Sequence, residues 1–130
     1  MIGDKRKYNV ALVTLKAIGA TGELPGGNDL DPVAAACGDG TAKTVSGAIA
    51  GDGGIAAAIE AAIKETNLDT SCCPMPPSRI QKFTILPEDF SVVGEELTPT
   101  FKLKRSVAEK KYIAQIEAMY KSKDVYVPFK

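Results

Sequence analysis

The sequence predicts an α+β fold in which a small mixed sheet of about three strands is flanked by helices. Two segments, 7–17 and 79–87, are rich in β-branched and apolar residues, and the first carries them on both alternating faces, as in a strand covered on both sides. The intervening and following segments show helical spacing and capping residues. We expect residues 1–130 to form one domain, because 45% of the chain is apolar and 25% is charged.

The first strand and the turn region after it open the chain. The segment KYNVALVTLKA (7–17) reads as a central strand. Residues 19–30 then contain four glycines and one proline, a composition typical of turns, so we expect a mobile excursion there.

Helices are expected between the two strands. Asp31 is placed as an N-cap, Pro32 at the first helical position and Gly38 as the stop of a short helix. One or two further turns are expected within 41–51. A longer helix is expected over 53–67, with one apolar stripe formed by Ile55, Ile59, Ala62, Ile63 and Thr66.

The last third of the chain predicts a strand, a loop and a helix. Three prolines interrupt residues 68–77, and the second strand follows and ends at Pro87. After a loop, Ser106 and Glu109 have the spacing of a capping box at a helix start. The buried stripe of that helix is expected to be Tyr112, Ile113, Ile116 and Tyr120.

Composition excludes several classes of function. Sixteen basic residues balance sixteen acidic ones, so no net field favours nucleic acid or an anionic membrane. The chain has no histidine, which removes the commonest metal ligand and general base. No apolar run is long enough to span a bilayer, and no signal peptide is visible. We expect a cytoplasmic protein, at most peripheral on intracellular membranes, with no metal site.

Other motifs favour plain structural interpretations. Cys37, Cys72 and Cys73 are an odd number with an adjacent pair, so we expect reduced thiols. The segment GDGTAKT (38–44) has the wrong spacing for a phosphate-binding loop, and AGDGG (50–54) lacks a dinucleotide fingerprint. The basic triplet at 5–7 has no assigned role.

A second basic cluster, at Lys102, Lys104 and Arg105, carries a family resemblance. The segment TPTFKLKR resembles the last signature of adenylate-forming enzymes, in which a threonine, a lysine and an arginine have the spacing of Thr98, Lys102 and Arg105. Where the wider superfamily has glycine before that lysine, this chain has Phe101.

The resemblance extends over about residues 2–120. The segments IGDKRKYNVALVTLK and RIQKFTILPEDFSVVGEELTPTFKLKR resemble the C-terminal domain of long-chain acyl-CoA synthetases, most closely the bubblegum type. This resemblance implies a helical insertion at about 29–70, and we expect a flexible tail at about 122–130. The hinge motif and the large N-terminal domain of that family are expected to lie outside this sequence.

The resemblance implies a role in ATP-dependent acyl-adenylate formation and in thioester formation with CoA. Lys102 would be catalytic, and Thr98 and Arg105 would bind substrate. ATP, CoA and a fatty acid would be substrates, Mg²⁺ would belong to the N-terminal adenylation domain, and the 130-residue chain alone would bind no cofactor and be inactive. The alternative is a non-catalytic regulatory or interaction module derived from such a domain; nucleic-acid binding through the basic clusters is the least favoured interpretation.

Overall fold

Two strands and five α-helices make up the structure, a computed structural model that describes residues 1–130. The strands are separated in sequence by three helices, and the last two helices follow the second strand. In chain order the elements are β1 (Asn9–Val13), α1 (Pro32–Ala35), α2 (Val45–Ala50), α3 (Ile55–Leu68), β2 (Ile80–Ile85), α4 (Arg105–Lys111) and α5 (Ile113–Lys121).

The sheet is parallel and two-stranded. Both predicted strands are present, and the helices between them form the crossover that parallel strands require. The expected mixed sheet of about three strands is wrong in strand number. A third segment reaches β2 only at one parallel bridge, between Tyr126 and Phe83, which is too short to form a strand.

That bridge lies in the tail that we expected to be flexible. The Phe83 N–H donates to the Val125 carbonyl (2.9 Å), and the Val127 N–H donates to the Phe83 carbonyl (3.0 Å). The Tyr126 ring stacks on Phe83 at 5.0 Å between centroids, and its hydroxyl donates to the Ile49 carbonyl (2.7 Å). The structure therefore docks residues 125–127 beside β2, because the edge of a two-stranded sheet offers unpaired main-chain groups.

The core lies on both faces of the sheet, as the apolar character of β1 predicts. One cluster joins the strands to the crossover helices and includes Phe83, Ile85 and Ile55. A smaller cluster on the other face brings Val10 against Ile116 and Met119 of α5. The N-terminal arm is also tied to α5, through an ion pair between Arg6 and Glu117.

The crossover helices begin as predicted but do not all end or pack as predicted. The Asp31 carboxylate accepts from the Val33 N–H (2.9 Å), which confirms it as the N-cap of α1. Gly38 is not the helix stop, since α1 ends at Ala35. A Cβ atom at Gly38 would lie 2.0 Å from the Gly53 carbonyl oxygen, so glycine is required there by close chain approach. The predicted α3 stripe is buried at Ile55, half-buried at Ile59 and Ile63, and exposed at Ala62 and Thr66.

The final helical region differs from the predicted single helix. It begins at Arg105 with no side-chain cap, so the expected capping box at Ser106 is wrong. It breaks at Tyr112, whose backbone (φ −109°, ψ 20°) leaves the helical region between α4 and α5. The break rotates the stripe, so that Tyr112 and Ile116 are buried whereas Ile113 is 42% exposed. No helix in the protein combines the length and apolar character needed to cross a bilayer.

A pair of hydroxyl deletions tests these helix starts. The Thr44 hydroxyl accepts from the Gly47 N–H (2.9 Å) and caps α2, whereas the Ser106 hydroxyl caps nothing. We expect Thr44→Ala to lower the free energy of unfolding by about 1 kcal/mol. Ser106→Ala should change it by less than about 0.5 kcal/mol. Urea denaturation of both variants measures the difference. A loss of stability in Ser106→Ala equal to that in Thr44→Ala would show that Ser106 does cap α4.

Candidate functional site

Thr98 and Lys102 of the signature lie on a tight hairpin formed by residues 97–103, and Lys104 and Arg105 follow it. Leu97 and Leu103 form an antiparallel bridge at its base. The Thr98 N–H donates to the Lys102 carbonyl, and the Phe101 N–H donates to the Thr98 carbonyl, both at 2.8 Å. These bonds close a turn around Pro99, and they place Lys102 on the exposed surface beside its tip.

Thr98 shapes this hairpin through its side chain. Its hydroxyl oxygen accepts from the Lys102 N–H at 3.0 Å and lies 3.1 Å from the Thr100 hydroxyl. Thr98 is therefore bonded twice to Lys102, once through its main chain and once through its side chain. The structure brings these two predicted residues together and fixes the backbone of the lysine.

Phe101 occupies the left-handed region, with φ of 64°. A side chain is strained there and glycine is not, which gives a physical reason for the glycine of the wider superfamily at this position. The Phe101 ring lies against Gly22, where an added Cβ atom would be 3.1 Å from two ring carbons. The Val92 N–H also donates to the Gly22 carbonyl (2.8 Å), so the turn-rich excursion is fastened beside the hairpin.

The three cations of the signature lie in different settings. The Lys102 ammonium makes no hydrogen bond or ion pair and is exposed. Lys104 immediately precedes α4, and its N–H donates to the Glu96 carbonyl (2.7 Å). Arg105 is the first residue of α4, and its charge adds to burial in lowering the pKa of the Met1 amino group. The structure therefore does not bond Arg105 to Thr98 or Lys102.

A buried carboxylate that the sequence analysis missed lies at the base of the hairpin. The Glu96 side chain is 1% exposed, and its Oε1 atom accepts from Lys111 Nζ (2.7 Å) and from the Tyr112 hydroxyl (3.3 Å). The Ser91 N–H approaches its other oxygen at 3.4 Å. Nothing in the sequence indicates which carboxylate of the pair Glu95 and Glu96 is buried.

The electrostatics of this cluster keep its two side-chain donors, Lys111 and Tyr112, protonated. Burial lowers the pKa of Lys111, but the hydrogen bond and charge of Glu96, helped by Tyr112, outweigh burial and raise it above its ordinary value. Burial raises the pKa of Tyr112, and Glu96 raises it further while Lys111 opposes the rise. Lys111 is therefore protonated and Tyr112 neutral at physiological pH, so both donate to the carboxylate.

The segment 38–44 and the three cysteines have local structural settings. Within 38–44, the Asp39 carboxylate accepts from the Thr41 N–H (2.9 Å) and makes a turn. Cys37, Cys72 and Cys73 are free thiols. No group of three or more His, Cys, Asp or Glu side chains is placed to hold a metal ion.

Comparison with known proteins gives a consistent set of relatives. The chain is 37% identical over 124 residues to long-chain-fatty-acid–CoA ligase ACSBG2 of Gallus gallus, covering 92% of this chain and 16% of the relative. It is 44% identical over 80 residues to long-chain-fatty-acid–CoA ligase FadD15 of Mycobacterium tuberculosis, covering 62% of this chain and 13% of that protein. The chain is similar to a segment of long-chain-fatty-acid–CoA ligases.

A third relative supports the same similarity. Long-chain-fatty-acid–CoA ligase ACSBG1 of Bos taurus is 35% identical over 124 residues, which cover 92% of this chain and 17% of the relative. The chain thus spans about a sixth of the length of the relatives that it matches along most of its own length. No family model and no solved structure matches it.

Proposed function

We propose that this chain is the C-terminal mobile domain of a long-chain fatty acid CoA ligase of the bubblegum type, and that Lys102 is its catalytic residue for acyl-adenylate formation. The observation that carries the proposal is the unpaired, exposed ammonium of Lys102 on a hairpin whose backbone is fixed by Thr98. The similarity to ligase segments along 92% of the chain supports it.

The chemistry of adenylation requires a cation at this position. A fatty acid carboxylate must approach the α-phosphate of ATP, and the two anions repel one another. An ammonium held between them stabilises both the approach and the charge that develops during transfer. Lysine suits this role because its charge is compact and stands on a long stem.

The exposed hairpin also suits a residue that works in another domain's site. The remaining parts of the reaction follow from the resemblance: an N-terminal adenylation domain of the same enzyme binds ATP, Mg²⁺ and the acyl chain. After adenylation the C-terminal domain, which carries Lys102, reorients. This movement withdraws Lys102 and presents another face of the domain for the attack of CoA. Thr98 supports the lysine backbone, and Arg105, at the start of α4, is assigned to substrate phosphate.

Affinity labelling of the full-length enzyme tests the proposal. An amine-reactive adenine nucleotide should modify Lys102 in preference to Lys104, although the ammonium groups of both residues are free of ion pairs. ATP together with a fatty acid should protect Lys102. Peptide mapping reads the two sites, and equal, unprotected labelling of both lysines would favour the non-catalytic module.

A further inference from the structure

We propose that Glu96 is a positioning residue, which holds the Lys102 hairpin in its working orientation by joining it to Lys111 and Tyr112. This inference rests on the proposed function of Lys102. Glu96 directly precedes the first residue of the hairpin, and its carboxylate accepts from both partners on the α4 side. Neither partner belongs to the hairpin, so these bonds fix its orientation and not its internal shape.

Glu96 holds both ends of the hairpin. Its carbonyl accepts from the N–H of Lys104, one residue beyond Leu103, at 2.7 Å. Its side chain meanwhile ties the first end of the hairpin to α4. One residue therefore determines where the two strands of the hairpin leave the body of the domain.

The contacts continue from Glu96 to the core. Tyr112 stands at the break between α4 and α5 and is buried. Ile116, one turn further along α5, is fully buried and packs with Val10 of β1. The hairpin is thus connected to the sheet through a short series of buried contacts, which is how a loop residue acquires the precision that catalysis needs.

The presence of a buried carboxylate at position 96 favours a positioning role over a purely stabilising one. The ion pair joins a buried carboxylate to a partly exposed ammonium, and it contributes little net stability because the desolvation of Glu96 offsets the attraction. Its hydrogen bonds are directional, however, and here the carboxylate meets donors from Lys111, Tyr112 and the Ser91 main chain. These directional hydrogen bonds hold the hairpin in one orientation. A single orientation matters beside a catalytic lysine and is unnecessary in an ordinary surface loop.

Amide hydrogen exchange on the 130-residue chain gives the first test. In Glu96→Gln we expect the Leu97 and Lys104 amides, which join the two ends of the hairpin to Ser91 and Glu96, to exchange at least about 10-fold faster, the fold-change for losing one hydrogen bond to a charged group. The Leu86 amide, which donates to Val13 in the sheet region, should keep its rate. Glu95→Gln is the matched control, because its exposed side chain makes no hydrogen bond or ion pair.

Two results overturn the positioning role. One is unchanged exchange at Leu97 and Lys104, and the other is equal acceleration at Leu86, which would show a general loss of stability. Lys111→Met removes the same ion pair from a more exposed side chain and must reproduce the local effect, whereas Lys111→Arg must largely retain the wild-type rates. If Glu96→Gln does not fold, the two Lys111 variants decide the question.

Kinetics of the full-length enzyme give the second test. Glu96→Gln should lower the rate of pyrophosphate release at saturating substrate by roughly 10-fold to 100-fold, as expected for displacing a catalytic group by up to about 1 Å. The KM for ATP should change far less, since the effect is on orientation. If Lys102→Ala slows adenylation while Glu96→Gln does not, this inference alone fails. If Lys102→Ala has no effect, the proposed function fails.

Discussion

Lys102→Ala is expected to slow acyl-adenylate formation by the full-length enzyme by about 100-fold to 1,000-fold, or about 2.7 to 4 kcal/mol of transition-state stabilisation. That range is typical for removing one preorganised group that stabilises developing charge. The role proposed for Lys102 is of this kind: Thr98 holds its backbone by two hydrogen bonds, and its ammonium is free. Pyrophosphate release during a single turnover measures the effect.

Lys104→Ala is the matched control for that result. The two residues carry the same charge two positions apart, but Lys104 stands at the start of α4, outside the hairpin. An exposed cation is largely screened by solvent and salt, so we expect no more than about a few-fold change. Equal effects of the two substitutions would indicate a general basic surface and not a catalytic lysine.

Phe83→Ala is expected to cause the largest loss of stability, about 3 to 5 kcal/mol. Its side chain is fully buried in the larger core cluster and stacks on Tyr126 of the tail. Truncation would leave a cavity and also remove the surface against which the tail docks. Urea denaturation measures this loss as a lower midpoint, provided that the dependence of the unfolding free energy on urea concentration (the m-value) is unchanged.

Phe101→Ala is the control for Phe83→Ala, because it makes the same truncation at an exposed position. Phe101 is 56% exposed and contacts Gly22 at the edge of the hairpin. Its truncation should cost less than about 1 kcal/mol. A midpoint for Phe83→Ala no lower than that for Phe101→Ala would contradict the arrangement of the core.

The parts of the fold that the sequence predicts well are those with strong local signals. Both strands were predicted from runs of apolar residues, and α1 was predicted from Asp31 and Pro32. The approximate position of α3 follows from its periodic isoleucines. In each case the physical cause lies within the segment itself, through side-chain alternation, helical period or capping.

The parts that the sequence does not predict depend on contacts distant in sequence. The position of residues 125–127 is set by the free edge of β2. Ser106 has the spacing of a cap, but Lys104 is held by Glu96, and the cap position and the helix start both lie two residues earlier than predicted. The break between α4 and α5 also coincides with a contact distant in sequence, since the Tyr112 hydroxyl there bonds to Glu96.

The candidate site divides in the same way. The spacing of Thr98 and Lys102 was enough to indicate a signature, and the structure joins these two residues on one hairpin. The buried role of Glu96 was not predictable, because Glu95 beside it has the same chemistry and only the packing of α4 separates them. The positive φ of Phe101 was likewise not predictable, because glycine is the residue type that usually indicates a positive φ.

The proposed role of Lys102 is tested most sharply by the rate of CoA thioester formation from supplied acyl-adenylate by the Lys102→Ala full-length enzyme. In the proposed mechanism Lys102 acts in adenylation and is withdrawn before CoA attacks. We therefore expect a rate within about a few-fold of wild type for this second step, since a withdrawn cation is screened by solvent, while pyrophosphate release should fall by about 100-fold or more. Equal loss in both steps, or wild-type pyrophosphate release, would contradict the assignment of Lys102.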